Sequence, residues 1–375
     1  MFKKLVCFTA VVLVFGLMST ASYGQLLGVY EFDGDFDGAS WDEATNWEET
    51  VDPFGVPTSG DPATPPSAVT SVDIPLAGVV VDGTMAGQTA LDTKIGTAGG
   101  TGSVALNGTG ALTIKDLFVG KDETLVAPNG GAFAMTGGTL TSTDDIEVGN
   151  GQVNGGSPNA FSSVGTMTMS AGLVDVNDDF FIRLGSSLTM TGGFIDIGDR
   201  LVTDDDATLD LDGGDILADD DFFFYGASQI TVDSGSMIVF DKLRFDNVLT
   251  TGKMTINGGF VRSQEFGFCA TDCNIDYTMN GTVEINGDGF YQSEAPGVGS
   301  PKSQLSLFFA KQLIADGTFI TSDTRVLVPI SVIVPEFDGR TDVQFTQIFL
   351  VPEPASMLLL GLGGLGLMLR RKRAC

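Results

Sequence analysis

Apolar and polar residues alternate along this chain from about Gly110 to Gly281, and glycine punctuates the alternation at a nearly regular interval. Aligned on the glycine or glycine pair in the middle of each segment, the anchors are Gly110, Gly138, Gly172, Gly193, Gly214, Gly235, Gly259 and Gly281. Successive spacings are 28, 34, 21, 21, 21, 24 and 22 residues. Five residues before the anchor stand Phe133, Met167, Leu188, Leu209, Ile230 and Met254; three before it stand Met135, Met169, Met190, Leu211, Val232 and Ile256. Two after it come Leu112, Leu140, Val174, Ile195, Ile216, Met237, Val261 and Val283. Eight and ten after it come Ile146/Val148, Phe180/Ile182, Phe222/Phe224 and Leu243/Phe245. Such alternation predicts strands with one buried face, and no segment keeps a helical period over a useful length.

Each segment therefore reads as three short strands and three bends. One segment cannot bury its own apolar face, whereas stacked copies can. The expected fold is all-β, a right-handed parallel β-helix: a solenoid with laps of ~21 residues piled ~4.8 Å apart. Glycine at the anchor fits a bend that needs positive φ or close approach of chains. A β-sandwich of many short strands explains the alternation but not the period.

The two ends have a different character. Lys3 and Lys4, the apolar stretch Leu5 to Met18 and the small residues after it read as a secretory signal, cut after Gly24 or after Ala21. At the other end, Val351-Pro352-Glu353-Pro354 precedes the uncharged run Ala355–Leu369 and then Arg370, Arg371, Lys372 and Arg373. As a helix, that run covers ~22 Å, short of a ~30 Å hydrocarbon core, so flanking residues and snorkelling arginines complete the span. The basic cluster would stay on the cytoplasmic side. These four elements in this order resemble the PEP-CTERM sorting signal of Gram-negative bacteria. The resemblance implies recognition by an exosortase-type membrane transpeptidase near Pro352, Glu353 and Pro354, removal of the helix, and delivery of the body to the cell surface or extracellular matrix. The resemblance also implies that, before processing, the C-terminal helix would anchor the chain transiently in the inner membrane.

Charge agrees with an outside location. Six of the 19 basic residues and one of the 48 acids lie in the two ends, which leaves 13 against 47 and a body near −34. Such a surface repels nucleic acid and anionic lipid and attracts divalent cations. No histidine is present, which excludes Ser-His-Asp and Cys-His nucleophiles and the usual histidine-bearing zinc or iron sites.

The expected organisation is a signal peptide over 1–24, an N-terminal cap and loop over 25–67, repeats over 68–300, a terminal lap or C-terminal cap over 301–350, and the sorting signal over 351–375. Within the second unit, Asp33, Asp35, Asp37 and Gly38 occupy positions 1, 3, 5 and 6 of a calcium loop, but Ala44 stands where its bidentate glutamate belongs. Trp41, Asn46-Trp47 and Pro57 resemble the start of bacterial surface β-helix proteins, and the two tryptophans read as the cap of the stack. Cys269 and Cys273 are expected to form a local disulfide in an exported chain.

Three columns invite chemistry. Six residues after the anchor stand Asp116, Asp144, Asp178, Asp199, Asp220, Asp241 and Glu265. This ladder reads as soluble turn residues, with calcium bridged between laps at Asp144, Asp178 and Asp220 as the other possibility. Paired carboxylates such as Asp178/Asp179 or Asp219–Asp221 could serve a polysaccharide-degrading β-helix. Catalytic groups normally interrupt a repeat, however, and these acids are the repeat. Threonines four before the anchor (Thr168, Thr189, Thr231, Thr255) suggest an ice-binding face, with Thr189-x-Thr191 as its one complete pair. The reading is an exported structural or adhesive protein without catalysis, with extracellular polysaccharide as a partner to test and a polysaccharide-binding role as the alternative.

Overall fold

A computed structural model describes residues 28–32, 41–42, 44, 47–51, 65–67, 70–75, 77–81, 87–96, 101–120, 130–149, 163–245, 251–267, 281–295 and 305–352. About two thirds of these residues are β-strand, and the described residues contain one helix, α1 (Leu307–Ala315). The strands pair in three parallel ladders. Each segment of the repeat gives one strand to every ladder in turn before the chain comes back to the first. Val104, Phe133, Met167, Leu188, Leu209, Ile230, Met254, Val283 and Phe319 share a register in the first ladder. Leu112, Leu140, Val174, Ile195, Ile216, Met237, Val261 and Tyr291 do so in the second. Leu117, Ile146, Phe180, Leu201, Phe222, Leu243 and Phe266 do so in the third.

None of these side chains is more than 1% exposed. Fully burying each contributes about 1.5–3 kcal/mol, and together they form one continuous core between the ladders. Towards the C-terminal end that core becomes aromatic: Phe224 lies 4.6 Å from Phe245, and Phe266 lies 5.1 Å from Tyr291 and 5.2 Å from Phe319, centroid to centroid.

The anchor glycine has a definite cause. Gly235 has φ +83°, and a Cβ built on it would stand 2.0 Å from the carbonyl oxygen of Gly214 in the preceding segment. Backbone stacks on backbone at this bend, so a side chain has neither the space nor the conformation it needs.

Two expectations about register are corrected. Gly281 is not the eighth anchor. Thr282 pairs with Lys253 and Val283 with Met254, so Val283 belongs to the first ladder; the residue equivalent to Gly259 is Gly289, which precedes Phe290 as Gly259 precedes Phe260. The bend before the third ladder also varies in length. Val239 and Lys242 face Ser263 and Glu265, so the later segment is one residue shorter there.

The N-terminal tryptophans are both fully buried, with centroids 5.1 Å apart at 69°. Trp47 Nε1 donates to the Trp41 carbonyl at 3.0 Å, and the Trp41 amide donates to Val80. At the other end the chain does not add a regular last segment. Val326–Phe337 and Arg340–Val351 form an antiparallel hairpin, whose second strand pairs antiparallel with Phe290–Glu294. Its two-residue turn is Asp338-Gly339, with φ +51° and +63°, the mirror-image turn that Asp-Gly favours. The hairpin tip folds onto the outside of the second ladder, where Val334, Phe337, Val343 and Phe345 pack with Ile238 and Phe240 in a second, smaller core.

Candidate functional site

The acidic bend preceding the third ladder is two columns, not one. The inner column runs Asp92, Asp116, Asp145, Asp179, Arg200, Asp221, Lys242 and Glu265, each immediately before the first buried residue of its third-ladder strand or paired with its neighbour. The outer column, one residue earlier, runs Lys115, Asp144, Asp178, Asp199, Asp220 and Asp241. The single ladder read from the sequence therefore merges them: Asp116 and Glu265 belong to the inner column because their bends are one residue shorter.

The inner carboxylates are parts of the fold. Asp116, Asp179, Asp221 and Glu265 are 5–8% exposed. Asp116 accepts the amide of Asp145 at 3.2 Å, Asp145 that of Asp179 at 3.1 Å, Asp179 that of Arg200 at 3.1 Å and Asp221 that of Lys242 at 2.9 Å. Each thus satisfies a backbone donor of the following segment that the bend takes out of the ladder. Of the acids read as soluble turn residues, Asp116 and Glu265 stand in this buried column, and the other five stand in the outer one.

Cations stand among the acids. Lys115 Nζ lies 2.6 Å from Asp116 and 3.0 Å from Asp144. Arg200 Nε donates to Asp179 at 2.9 Å. Lys242 pairs with Asp241 at 2.8 Å, and Arg244 with Asp221 at 3.0 Å. On the neighbouring bend, Arg183 bridges Glu147 at 2.8 Å and Asp204 at 3.1 Å, its guanidinium 3.9 Å from the Phe181 ring centroid.

Three carboxylate groups among the described residues have the mutual spacing of cation ligands: Asp116/Asp144/Asp145, Asp145/Asp178/Asp179 and Asp220/Asp221/Asp241. Each contains one member of the expected set Asp144, Asp178 and Asp220. The donor chemistry fits calcium, but the fit is uneven. In the first group the Lys115 ammonium already lies between two carboxylates, and in the third Lys242 and Arg244 each engage one. In the middle group Asp179 is held by Arg200. Burial first, then the charges of Asp179, Asp144 and Asp178, push the Asp145 carboxyl up to about 6, against the pull of the Asp179 amide. Asp178, Asp199, Asp220 and Asp221 are raised as well, with burial the leading cause.

The threonine face changes partners. Thr168 stands beside Thr189, then come Asp210, Thr231, Thr255 and Glu284. Thr191 lies beyond its strand, Ser187–Met190, so the outward mates on that strand are Ser187 and Thr189. The complete threonine pair is Thr166-x-Thr168, and Asp210 and a Lys253–Glu284 ion pair interrupt the face.

The C-terminal end has its own geometry. Leu350, 8% exposed, pairs with Leu327, and Val351 pairs with Val326 as the last rung of the hairpin. Pro352 follows directly, at the surface. Residues 350–373 match the PEP-CTERM protein-sorting motif. The motif implies an exported chain that is held transiently at the membrane and sorted by an exosortase. No curated protein and no solved structure matches the chain. Among the described residues no helix is long and apolar enough to cross a membrane, and the run Ala355–Leu369 lies outside them. Also outside them are the signal, Asp33, Asp35 and Asp37, Cys269 and Cys273, and Glu353 onwards, including Arg370, Arg371, Lys372 and Arg373.

Proposed function

We propose that this chain is a structural or adhesive protein of the cell surface or extracellular matrix, delivered there through its PEP-CTERM signal and without catalytic activity. The observation that carries the reading is the sorting motif placed directly after a folded, acidic, all-β body. The body is a right-handed parallel β-helix, a reading supported by three parallel ladders in continuous register from Val104 to Phe266 and Tyr291. In that body, Asp116, Asp145, Asp179 and Asp221 accept backbone amides, and lysines or arginines engage Asp116, Asp144, Asp179, Asp221 and Asp241. A regular stack of this kind presents long, even faces suited to lateral contacts with matrix polymer or with further copies. The exosortase would act at Pro352, Glu353 and Pro354 while the apolar run anchors the chain in the inner membrane.

Replacing Pro352, Glu353 and Pro354 by alanine tests the sorting half. The substituted chain should accumulate in the membrane fraction, and unaltered release would count against it. Incubating the purified body with acidic and neutral polysaccharides tests the other half. Binding without cleavage is expected, and product formation that Asp179→Asn abolishes would make the protein an enzyme.

A further inference from the structure

We infer that the sorting motif becomes readable only when the last two rungs of the C-terminal hairpin open. The inference rests on the sorting function proposed above and concerns how the folded body yields its end to the processing enzyme.

The motif begins at Leu350, inside a strand. Its first two residues are paired with Leu327 and Val326, and Leu350 is buried in the main core. A transpeptidase binds its substrate extended and makes its own backbone hydrogen bonds to it, which a strand held in a sheet cannot supply on its paired side. Slack is scarce as well. Only Pro352, Glu353 and Pro354 separate Val351 from the uncharged run, and three extended residues reach no more than about 11 Å. With that run in the bilayer, the hairpin end sits at the membrane surface with the body behind it.

The sheet narrows at the place where opening is needed. Phe349 has a strand neighbour on each side, Phe290 and Val328. Leu350 and Val351 lie past the end of the Phe290–Glu294 pairing and keep only the hairpin partner. Held on one side, the terminal pairs open at lower cost than those from Phe345 to Phe349, which have a strand neighbour on both sides. The two strands are also tied unequally. Arg325, next to Val326, donates to Asp323 at 2.7 Å and to the Gly287 carbonyl, which fastens that strand to the body. At this last rung, therefore, the two residues free to leave the pair are Leu350 and Val351, which lie beyond the stretch Phe345–Phe349 that binds the body.

The test is a crosslink across the last rung. Val326→Cys/Val351→Cys joins two facing residues of an antiparallel pair, a spacing that a disulfide tolerates. The full chain is expressed in a host with an exosortase, and removal of the tail is followed by intact mass. The crosslinked chain should keep its tail, and reduction should restore processing. A second crosslink, Ile333→Cys/Gln344→Cys, joins an exposed facing pair far from the motif and should leave processing unchanged. Processing of the Val326–Val351 crosslinked chain at the unsubstituted rate overturns the inference. So does a chain that stays unprocessed after reduction, because the block then lies in the side chains rather than the rung. Failure of the sorting reading is separate: the unsubstituted chain itself would retain its tail.

Discussion

Arg200 stands one segment beyond Asp179 and binds it three times: its backbone amide at 3.1 Å and its Nε at 2.9 Å both donate to Oδ1, and its Nη2 donates to Oδ2 at 2.5 Å. Asp179 is 5% exposed, so truncating it leaves the Arg200 amide without its acceptor and the guanidinium without its partner. Asp179→Ala should destabilise the body by about 2–4 kcal/mol in urea denaturation. Asp179→Asn keeps an oxygen for the amide and should cost less than half as much. Equal losses for the two would show that the amide contact contributes nothing.

The same bend sets the pH dependence. Asp145 titrates near 6 in the folded chain against an ordinary 3.8, so the folded state holds its proton more tightly. Stability from that group is complete below about 3.8 and is lost as pH rises through about 6. Glu284 runs the other way. Its hydrogen bond from Lys253 first, then one from Ser322, lowers it to about 2 from 4.5, and its contribution fades as pH falls through that range. The melting temperature should therefore rise from pH 7 to pH 5 and fall again below about pH 4. Asp145→Asn, which keeps the acceptor, should stabilise the protein at pH 7 by about 1 kcal/mol after solvent screening and flatten the rise. A melting temperature that drops steadily from pH 7 to 5 would contradict this.

Lys115 occupies the place between Asp116 and Asp144 that a divalent ion would take. Lys115→Met should lower the melting temperature in low salt, and millimolar calcium should restore part of the loss. Unsubstituted protein should respond less, and Asp178→Asn should remove whatever response the middle group gives. Calcium titrations followed by differential scanning calorimetry separate these cases.

Two glycines with similar φ distinguish stacking from turn conformation. Gly235→Ala places a Cβ 2.0 Å from a backbone oxygen and should cost more than about 2 kcal/mol, whereas Gly339→Ala meets nothing within 4 Å and should cost about 1 kcal/mol. Similar losses would mean that the close approach at the anchor does not matter.

The apolar columns were legible because they repeat at fixed offsets: Phe133 to Met254, Leu112 to Val261 and Ile146 to Leu243 all fall where the alternation puts them. Offsets failed where a bend changed length. Asp116 and Glu265 shifted into the buried column by one residue, and a single anchor cannot register that. The segment ending at Gly289 escapes the anchor spacing because Asn286-Gly287-Asp288-Gly289 carries one residue more than Asn257-Gly258-Gly259. Asp338-Gly339 between two apolar runs was a hairpin signal that the repeat pattern obscured. That the inner acids bind amides of the next segment follows only from the stacked backbone, since composition alone makes them look like any exposed turn.

The account turns on where the mature chain ends. Intact-mass and C-terminal peptide analysis of protein recovered from the cell surface or matrix measures this directly. The account predicts a chain that retains Val351, ends at or beside Pro352-Glu353-Pro354 and lacks Arg370 to Cys375. Surface protein that still carries Cys375 would contradict it.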